Sequence, residues 1–299
     1  MRTAALGALA LLAGLGLLAR RRRGGGTARI VRISRMVADL DQAVAFYRDG
    51  LGFRLASRGP GDPAPLGLPG ARMEQAVLRL GDEEIALVRF DPPGAPYPAD
   101  SRSDDGWFQH LAIVVDDMAA AWRQLAAQSP RSISTDGPER LPPRNGGVLA
   151  VKFRDPDGHP LELIQFPPDN GRPAWQRAAG AGPGPFLGID HSALAVASTA
   201  RSLRFYRRLG FRVASRSWNS GPAQSRLDGL PGAQVRVTGL RFPSSAGPGL
   251  ELLRYVPPGR PAPALPVSAI TTDWVTLSAG PAGLRRDPDG HRVLLTGRR

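Results

Sequence analysis

The sequence predicts an α+β protein built from tandem, paired β-α-β-β-β modules, the last of them abbreviated. Two observations support this. The turn sequence Asp-Pro-Asp-Gly-His occurs twice, at 155–159 and 287–291, each time between short apolar runs. A second pair of near-identical segments, at 51–57 and 209–215, repeats a Leu-Gly-Phe-Arg start. Several motifs that recur within one chain indicate internal duplication.

The first module begins with an alternating apolar segment, 30–38, which favours a strand. Asp39 follows at a helix N-cap position, where its carboxylate can accept hydrogen bonds from free backbone N–H groups. Gly50 and Gly52 end the predicted helix. Three further strands are expected at 53–57, 73–80 and 84–90.

The second module repeats this order. A strand at 108–115 leads to a helix capped by Asp117, and a loop rich in Pro and Gly leads to a hairpin around the first Asp-Pro-Asp-Gly-His turn. The turn residues fit their roles, because Pro presets φ, Asp caps locally and Gly tolerates positive φ. In the last strand, alternation places Pro160, Glu162 and Ile164 on one face.

The third module has a strand at 188–196, a helix capped by Ser198 and the repeated segment 209–215. The fourth retains a strand at 270–277 and the terminal hairpin at 286–295, with too few residues between them for a helix.

These modules predict an N-terminal extension and two domains. The apolar segment and the Arg/Gly-rich stretch occupy 1–26, and the first domain covers 28–168. A polar, proline-containing linker covers 169–185, and the second domain covers 186–297. Each domain is expected to be built from its own two modules.

The composition argues against several functional classes. The chain has no Cys, which excludes disulfides and thiolate chemistry and fits a reducing compartment. The net charge of +13 comes almost entirely from arginine, with Lys152 as the only lysine among 39 basic residues. The arginines are scattered and form no basic helix face interleaved with aromatic residues, so nucleic-acid binding is not expected.

The N-terminus is interpreted separately. Residues 4–19 are apolar and are followed by four consecutive arginines. A helix of this length spans about 24 Å, short of the ~30 Å hydrocarbon core. The arginines would stay on the cytoplasmic side. We therefore expect a cytoplasmic protein with membrane contact through residues 4–23. A secretory signal and an extension upstream of the true start remain alternatives.

The segments FYRDGLGF, FRDPDGHPLELIQF and FYRRLGF, set in this module order, resemble the vicinal oxygen chelate superfamily. That group contains glyoxalases, bleomycin-resistance proteins and extradiol dioxygenases. The resemblance covers about 28–168 and 186–297. It implies curved sheets around clefts, with one metal-ligand position on the first and last strands of each module. One scaffold hosts many chemistries, so these motifs specify the fold more than the reaction.

Carried over by position, the resemblance implies two candidate metal ligands in the first domain, His110 and Glu162. The other two ligand positions there hold Arg32 and Ala86. A guanidinium at a ligand position opposes a dication. Arg32 could pair with an anionic substrate or neutralise Glu162, and the structural ion pair is the preferred interpretation.

In the second domain the resemblance implies His191, Glu251 and Asp273 as candidate ligands, with Leu294 at the fourth position. Shifting the short fourth module by one residue would place Trp274 at the position assigned to Asp273. Because this domain keeps three donors, we expect any tightly bound ion to lie there. One His and two carboxylates suit Fe, Mn, Ni or Zn.

Each candidate also has a structural interpretation. His110 and His191 could be hydrogen-bonded core histidines, and Glu162 and Glu251 could lie on a solvated sheet face. His159 and His291 follow turns and are off the ligand face by parity, which favours a packing role.

The resemblance implies a metal-dependent, glyoxalase-like lyase, isomerase or related enzyme acting on a small oxygenated substrate. Glu251 or Glu162 would be its catalytic base. A non-catalytic small-molecule binding protein of the bleomycin-resistance type is the alternative. Ring-cleaving dioxygenase chemistry is disfavoured, because the chain has only 4 His and Leu294 occupies the family's glutamate position.

Overall fold

The structure is a computed structural model that describes residues 28–297, apart from 181, 183 and 244. The apolar run, the arginine cluster and the expected membrane contact of residues 4–23 lie outside the described residues. In the described part, no helix has the length and apolar character needed to cross a bilayer.

The first two modules have the expected order of elements. The first comprises β1 Ile30–Met36, α1 Leu40–Ala45 with a π-helical turn at Phe46–Gly50, β2 Arg54–Pro60, β3 Arg72–Leu80 and β4 Glu83–Asp91. The second comprises β5 Gln109–Val115, α2 Met118–Ala126, β6 Arg131–Ser132, β7 Glu139–Arg140, β8 Leu149–Arg154 and β9 Pro160–Gln165. Asp39 and Asp117 cap α1 and α2 through their side chains, as predicted.

The second half adds two helices that the sequence did not predict. The elements are α3 Pro173–Ala178, β10 Phe186–Ala195, α4 Thr199–Arg208, β11 Arg212–Ser220, α5 Pro222–Asp228, β12 Gln234–Arg241, β13 Gly249–Tyr255, β14 Trp274–Leu277, β15 Gly283–Arg286 and β16 Arg292–Leu295. Ser198 caps α4 as expected. The unexpected helices α3 and α5 both begin with proline, which favours the first helical position.

The strands form two mixed sheets in an α+β fold. The seven-strand sheet has the order β15-β16-β14-β1-β4-β3-β2. The nine-strand sheet has the order β11-β12-β13-β10-β5-β9-β8-β6, with β7 paired to β8. At its centre β5 and β10 pair antiparallel, and β1 pairs antiparallel with β14 in the other sheet.

This strand order corrects the expected pairing of modules. The second and third modules share the nine-strand sheet, and the first and fourth share the seven-strand sheet. The ranges 28–168 and 186–297 describe the sequence repeat, but neither encloses a cleft by itself. The first strands of all modules are similar apolar segments, so local sequence does not specify which two of them pair.

The repeated turns explain how consecutive modules stay together despite this exchange. Each Asp-Pro-Asp-Gly-His turn forms hydrogen bonds with one tyrosine and one backbone carbonyl of the preceding module. The bonds are Tyr47 Oη to Asp155 Oδ2 (3.0 Å), Tyr206 Oη to Asp287 Oδ2 (3.0 Å), His159 Nε2 with the Met36 carbonyl (2.6 Å) and His291 Nε2 with the Ala195 carbonyl (2.8 Å). The packing role predicted for both histidines is therefore confirmed.

One continuous apolar core joins the two sheets and helices α1, α2 and α4. Leu161 and Leu163 are fully buried in it. Because side chains alternate along a strand, Glu162 points to the opposite face of β9. The fold thus separates a helix-packed face from a face that can form a site.

Candidate metal centre

Four of the five predicted site residues converge on the open face of the nine-strand sheet. His110 lies on β5, Glu162 on β9, His191 on β10 and Glu251 on β13. Glu162 Oε2 is 2.9 Å from His110 Nε2 and 3.8 Å from His191 Nε2. Glu251 Oε2 is 3.5 Å from His191 Nε2. The two histidines thus meet the two carboxylates in one cluster.

Strand register produces this convergence. In the β5–β10 pair, His110 lies opposite Ala193, and Ala193 is also the neighbour of Glu251 in the β10–β13 pair. On the other side, Ala112 is the neighbour of both His191 and Glu162. Side chains at these paired positions share a face of the sheet. A shift of one residue in any pair would move a ligand candidate into the core.

The donor atoms of this cluster fit a divalent metal ion. His110, Glu162 and His191 are buried, and each offers a ligand atom within 4.8 Å of the others. Among the described residues, His191 Nε2 and His110 Nδ1 are buried without a hydrogen-bond partner, and His110 Nε2 meets Glu162 Oε2 at 2.9 Å. A buried polar atom without a partner is costly. Two imidazole nitrogens and a carboxylate oxygen directed at one point are the donors expected of a Zn or related site.

The charges of the cluster are strongly perturbed. Burial lowers the pKa of His110 to about 4, which favours the neutral form that binds metals. Burial also opposes protonation of His191, but Glu251 and Asp190 overcome it and raise the pKa to about 9. Burial raises the pKa of Glu251. For Glu162, burial opposes ionisation, yet His110, Lys152 and His191 together lower the pKa to about 2.

Asp190, which sequence reasoning missed, holds His191 in place. Its Oδ2 is 3.0 Å from His191 Nδ1. Its carboxylate accepts hydrogen bonds from Trp175 Nε1 (2.9 Å) and Arg241 Nη2 (3.0 Å), and Arg172 Nε lies 3.3 Å away. Such a partner fixes the tautomer and orientation of a ligating histidine. The pairing of β10 with β5 is irregular between Ile189 and His191, on either side of Asp190. The sequence alone does not reveal this irregularity.

The segment predicted as a linker contributes to this site. Arg172 stacks on Trp175, with its guanidinium carbon 4.1 Å from the indole centroid. Asn170, Gly171 and Arg172 also line the cleft beside the cluster. Residues 170–172 of this segment therefore form part of the wall of the candidate site.

Asp273 does not join the cluster, and its predicted grouping with His191 and Glu251 is wrong. It lies 3.6 Å from Arg35 Nε and 3.3 Å from His159 Nδ1, in a buried set of charges beside the first repeated turn. The reason is register. Trp274 pairs with Arg292 and Thr276 with Leu294, so Trp274 occupies the position equivalent to a ligand. Arg32 forms a structural ion pair, as predicted, but its partner is Glu84 at 2.8 Å and not Glu162.

The cluster opens into a cleft of about 420 Å³. Its walls are largely apolar, with lining residues that include Leu141, Val148, Ile164, Leu227, Val237 and Leu253. Lys152 and Tyr255 also line it. A mostly apolar cleft with a few convergent polar groups is typical of a small-molecule site.

Comparison with known proteins agrees with this geometry. Residues 29–163 match the family model described as Glyoxalase/Bleomycin resistance protein/Dioxygenase superfamily. A 2-epi-5-epi-valiolone epimerase from Actinomyces sp is 34% identical over 157 residues, which cover 48% of this chain and 81% of that protein. A lactoylglutathione lyase from Arabidopsis thaliana is 24% identical over 189 residues, which cover 62% of this chain and 56% of that enzyme.

Among solved structures, glyoxalase I from Zea mays superposes with a TM-score of 0.58 at 17% identity, covering 91% of this chain and 92% of that one. This likeness establishes the arrangement of the fold. The chain spans 56% of the length of the lactoylglutathione lyase from Arabidopsis thaliana. It spans 36% of the length of a second relative from that organism, a probable chloroplastic lactoylglutathione lyase. Their activities are therefore a guide to hypotheses about this chain.

Proposed function

Because the chain belongs to the glyoxalase, bleomycin-resistance and dioxygenase superfamily, we propose that it is a divalent-metal-dependent lyase or isomerase. Its substrate would be a small oxygenated molecule bound in the cleft of the nine-strand sheet. The observation that carries the proposal is the convergence of His110, Glu162, His191 and Glu251, in which the buried His191 Nε2 has no hydrogen-bond partner among the described residues.

His110, Glu162 and His191 would hold the ion. When bound, a divalent ion supplies a Lewis acid that polarises a substrate oxygen. Ligands of this type accommodate Fe, Mn, Ni or Zn. Because binding requires neutral imidazole and His191 has a pKa of about 9, metal uptake would release a proton. Metal affinity should therefore increase as the pH rises towards 9.

Glu251 is the better candidate for the base. Its side chain is 27% exposed to the cleft, whereas that of Glu162 is 8% exposed and lies between the two histidines. Burial raises the pKa of Glu251, which makes it a stronger proton acceptor than an ordinary carboxylate. Glu251 would remove a proton from a carbon adjacent to a carbonyl group and return it to that carbon or its neighbour. This one step is common to lyases and epimerases of the kinds named among the relatives.

The test combines metal analysis with proton exchange. Purified protein would be reconstituted with Fe, Mn, Ni or Zn and incubated in D₂O with 2-hydroxyketones and with hemithioacetals of 2-oxoaldehydes. Nuclear magnetic resonance would follow exchange at the carbon next to the carbonyl group. Glu251→Gln should retain metal and lose exchange by about 10²–10⁴-fold. Glu162→Gln should lose metal and exchange together.

Two results would contradict the proposal. One is a wild-type protein that takes up none of the four metals. The other is exchange that survives chelation at full rate. A metal-free protein that still binds small hydrophobic ligands in the cleft would instead support a binding protein of the bleomycin-resistance type.

A further inference from the structure

Lys152 stands out from every other basic residue of the chain. It is the only lysine among 39 basic residues, and its side chain is buried on β8. In the β8–β9 pair it lies directly opposite Glu162, so both side chains are on the cleft face. Lys152 also lines the cleft itself. A cation therefore lies next to a candidate metal ligand. It is a lysine, whereas every other basic residue counted in this chain is an arginine.

A set of buried polar groups fixes the direction of this ammonium. Lys152 Nζ lies 2.6 Å from Asp228 Oδ1, at the end of α5. The other carboxylate oxygen, Asp228 Oδ2, accepts hydrogen bonds from Gln224 Nε2 at 2.7 Å and Tyr255 Oη at 3.1 Å. The Asp228 side chain is fully buried. The carboxylate is thus held by three donors and cannot turn, which orients the lysine bound to it.

The ammonium has unused capacity to donate hydrogen bonds. It carries three N–H groups. Among the described residues, the recorded hydrogen bond of Nζ is the one to Asp228. The nearby carboxylates raise the pKa of Lys152 although burial lowers it, so the group stays charged. A purely structural ion pair would not need to face a cavity.

Counting charges shows what the remaining donors could bind. Lys152 and Asp228 cancel each other. A divalent ion would cancel Glu162 and Glu251 when both are ionised. If Glu251 takes a proton from a substrate carbon, the electron pair of the broken C–H bond moves to the adjacent carbonyl oxygen. The protein then carries one additional positive charge, and the substrate oxygen carries the matching negative charge.

We propose that Lys152 is a substrate-binding residue whose ammonium donates hydrogen bonds to an anionic oxygen of the ligand. The inference rests on the proposed function and adds to it a residue that would make the cleft prefer a ligand with an anionic oxygen over a neutral analogue. Lysine suits this role because its ammonium is a compact point charge with three rotatable donors, whereas arginine presents a rigid planar fork of donors.

The experiment compares oxalate with its neutral analogue oxamide, using titration calorimetry on Zn-loaded and metal-free protein. The main variant, Lys152→Met combined with Asp228→Asn, removes both charges and leaves no buried carboxylate unpaired. It should bind oxalate at least about tenfold more weakly than wild type, the effect of losing one charge-assisted hydrogen bond. Its oxamide affinity and its Zn content should not change.

A matched control separates ligand binding from the docking of α5. Arg226 on α5 lies 2.6 Å from Glu139 on β7, so this ion pair is a second attachment of the same helix. Arg226→Met combined with Glu139→Gln should leave oxalate affinity unchanged. Asp228→Asn alone keeps the ammonium and should bind oxalate at least as tightly as wild type. If the Lys152→Met double variant fails to fold, Lys152→Arg provides a folded alternative and should lower oxalate affinity while oxamide affinity stays the same.

Equal oxalate affinity in wild type and the Lys152 variants would overturn the proposal. So would an equal loss in the Arg226 control, because α5 docking would then explain the effect. Failure of the wild type to bind Zn counts against the proposed enzyme, whereas the oxalate and oxamide comparison on metal-free protein still tests Lys152.

Discussion

The two sheets have the same arrangement of strands, but they carry different kinds of side chain at four equivalent positions. On the nine-strand sheet these positions hold the cluster His110, Glu162, His191 and Glu251. On the seven-strand sheet the strand register places Arg32, Ala86, Trp274 and Leu294 there. At these four positions one face thus presents four side chains that could ligate a metal ion, whereas the other presents none of the His or carboxylate type.

The side chains that surround these four positions also differ between the two sheets. On the seven-strand sheet, Ala86 and Trp274 belong to an apolar cluster that fills the face. The other buried members are Met36, Leu66, Val88, Phe90, Tyr97 and Ile270. On the nine-strand sheet the corresponding face keeps a cleft. The comparison shows that duplication supplied two equivalent faces, one of which contributes packing while the other retains polar groups at a cost in desolvation.

The largest effect is expected from placing a carboxylate on the packed face. Ala86→Glu mimics Glu162 at a position that is 1% exposed and surrounded by apolar side chains. Burying an unpaired carboxylate and extra volume should destabilise the protein by about 3–5 kcal/mol near neutral pH. Chemical denaturation would measure it. Ala86→Leu, which adds volume without charge, should cost less, and the difference between the two should shrink at acidic pH. Equal midpoints for Ala86→Glu and wild type would contradict the contrast between the faces.

A second prediction concerns the buried charges beside the packed face. Burial opposes protonation of His159, but Asp273 and Asp155 raise its pKa to about 9. The contribution of His159 to the free energy of unfolding should be complete below its ordinary pKa of about 6.5 and lost as the pH rises through about 9, a loss of roughly 2–3 kcal/mol. Denaturation curves from pH 6 to 10 would show it. His159→Gln should remove the part of this dependence that comes from His159 and leave the part that comes from His191, whose pKa is also raised to about 9. His291→Gln, the matched variant in the other turn, should retain both parts.

A third prediction addresses the support of the metal cluster. Asp190→Asn keeps the shape of the side chain but removes the charge that orients His191. Metal affinity should fall about 10–100-fold, the usual effect of losing such a partner. Competition with a chromogenic chelator would measure it. Asp273→Asn is the control. It should leave metal affinity unchanged because Asp273 contacts Arg35 and His159 instead. If Asp273→Asn lowered metal affinity more than Asp190→Asn does, Asp273 would belong with His191 and Glu251, as the sequence analysis expected.

The smallest effect is expected at Arg32, the cation at a ligand position of the seven-strand sheet. Its side chain is 29% exposed and pairs with Glu84, which also pairs with Arg79. Partly exposed ion pairs contribute little, so Arg32→Ala should destabilise the protein by less than about 1 kcal/mol. Metal content should not change. Arg79→Ala should have a similarly small effect, and a loss of several kcal/mol for either variant would show that Arg32 has another role.

The sequence by itself determined what local chemistry decides. The caps at Asp39, Asp117 and Ser198 and the two Asp-Pro-Asp-Gly-His turns follow from hydrogen bonding and φ preferences within a few residues. Alternation likewise placed Glu162 opposite the core. Module order was therefore readable from the sequence, and the family resemblance supplied the four ligand candidates by position.

Only the tertiary structure decided which modules share a sheet, and this decision created the site. His110 and Glu162 lie in one half of the sequence and His191 and Glu251 in the other, and the β5–β10 pair alone brings them together. That pairing depends on register between strands distant in sequence, which local propensity does not encode. For the same reason, the sequence did not reveal the contacts of Asp190 and Asp228, and it grouped Asp273 with the wrong residues. The surroundings of each of these aspartates depend on residues from another part of the chain.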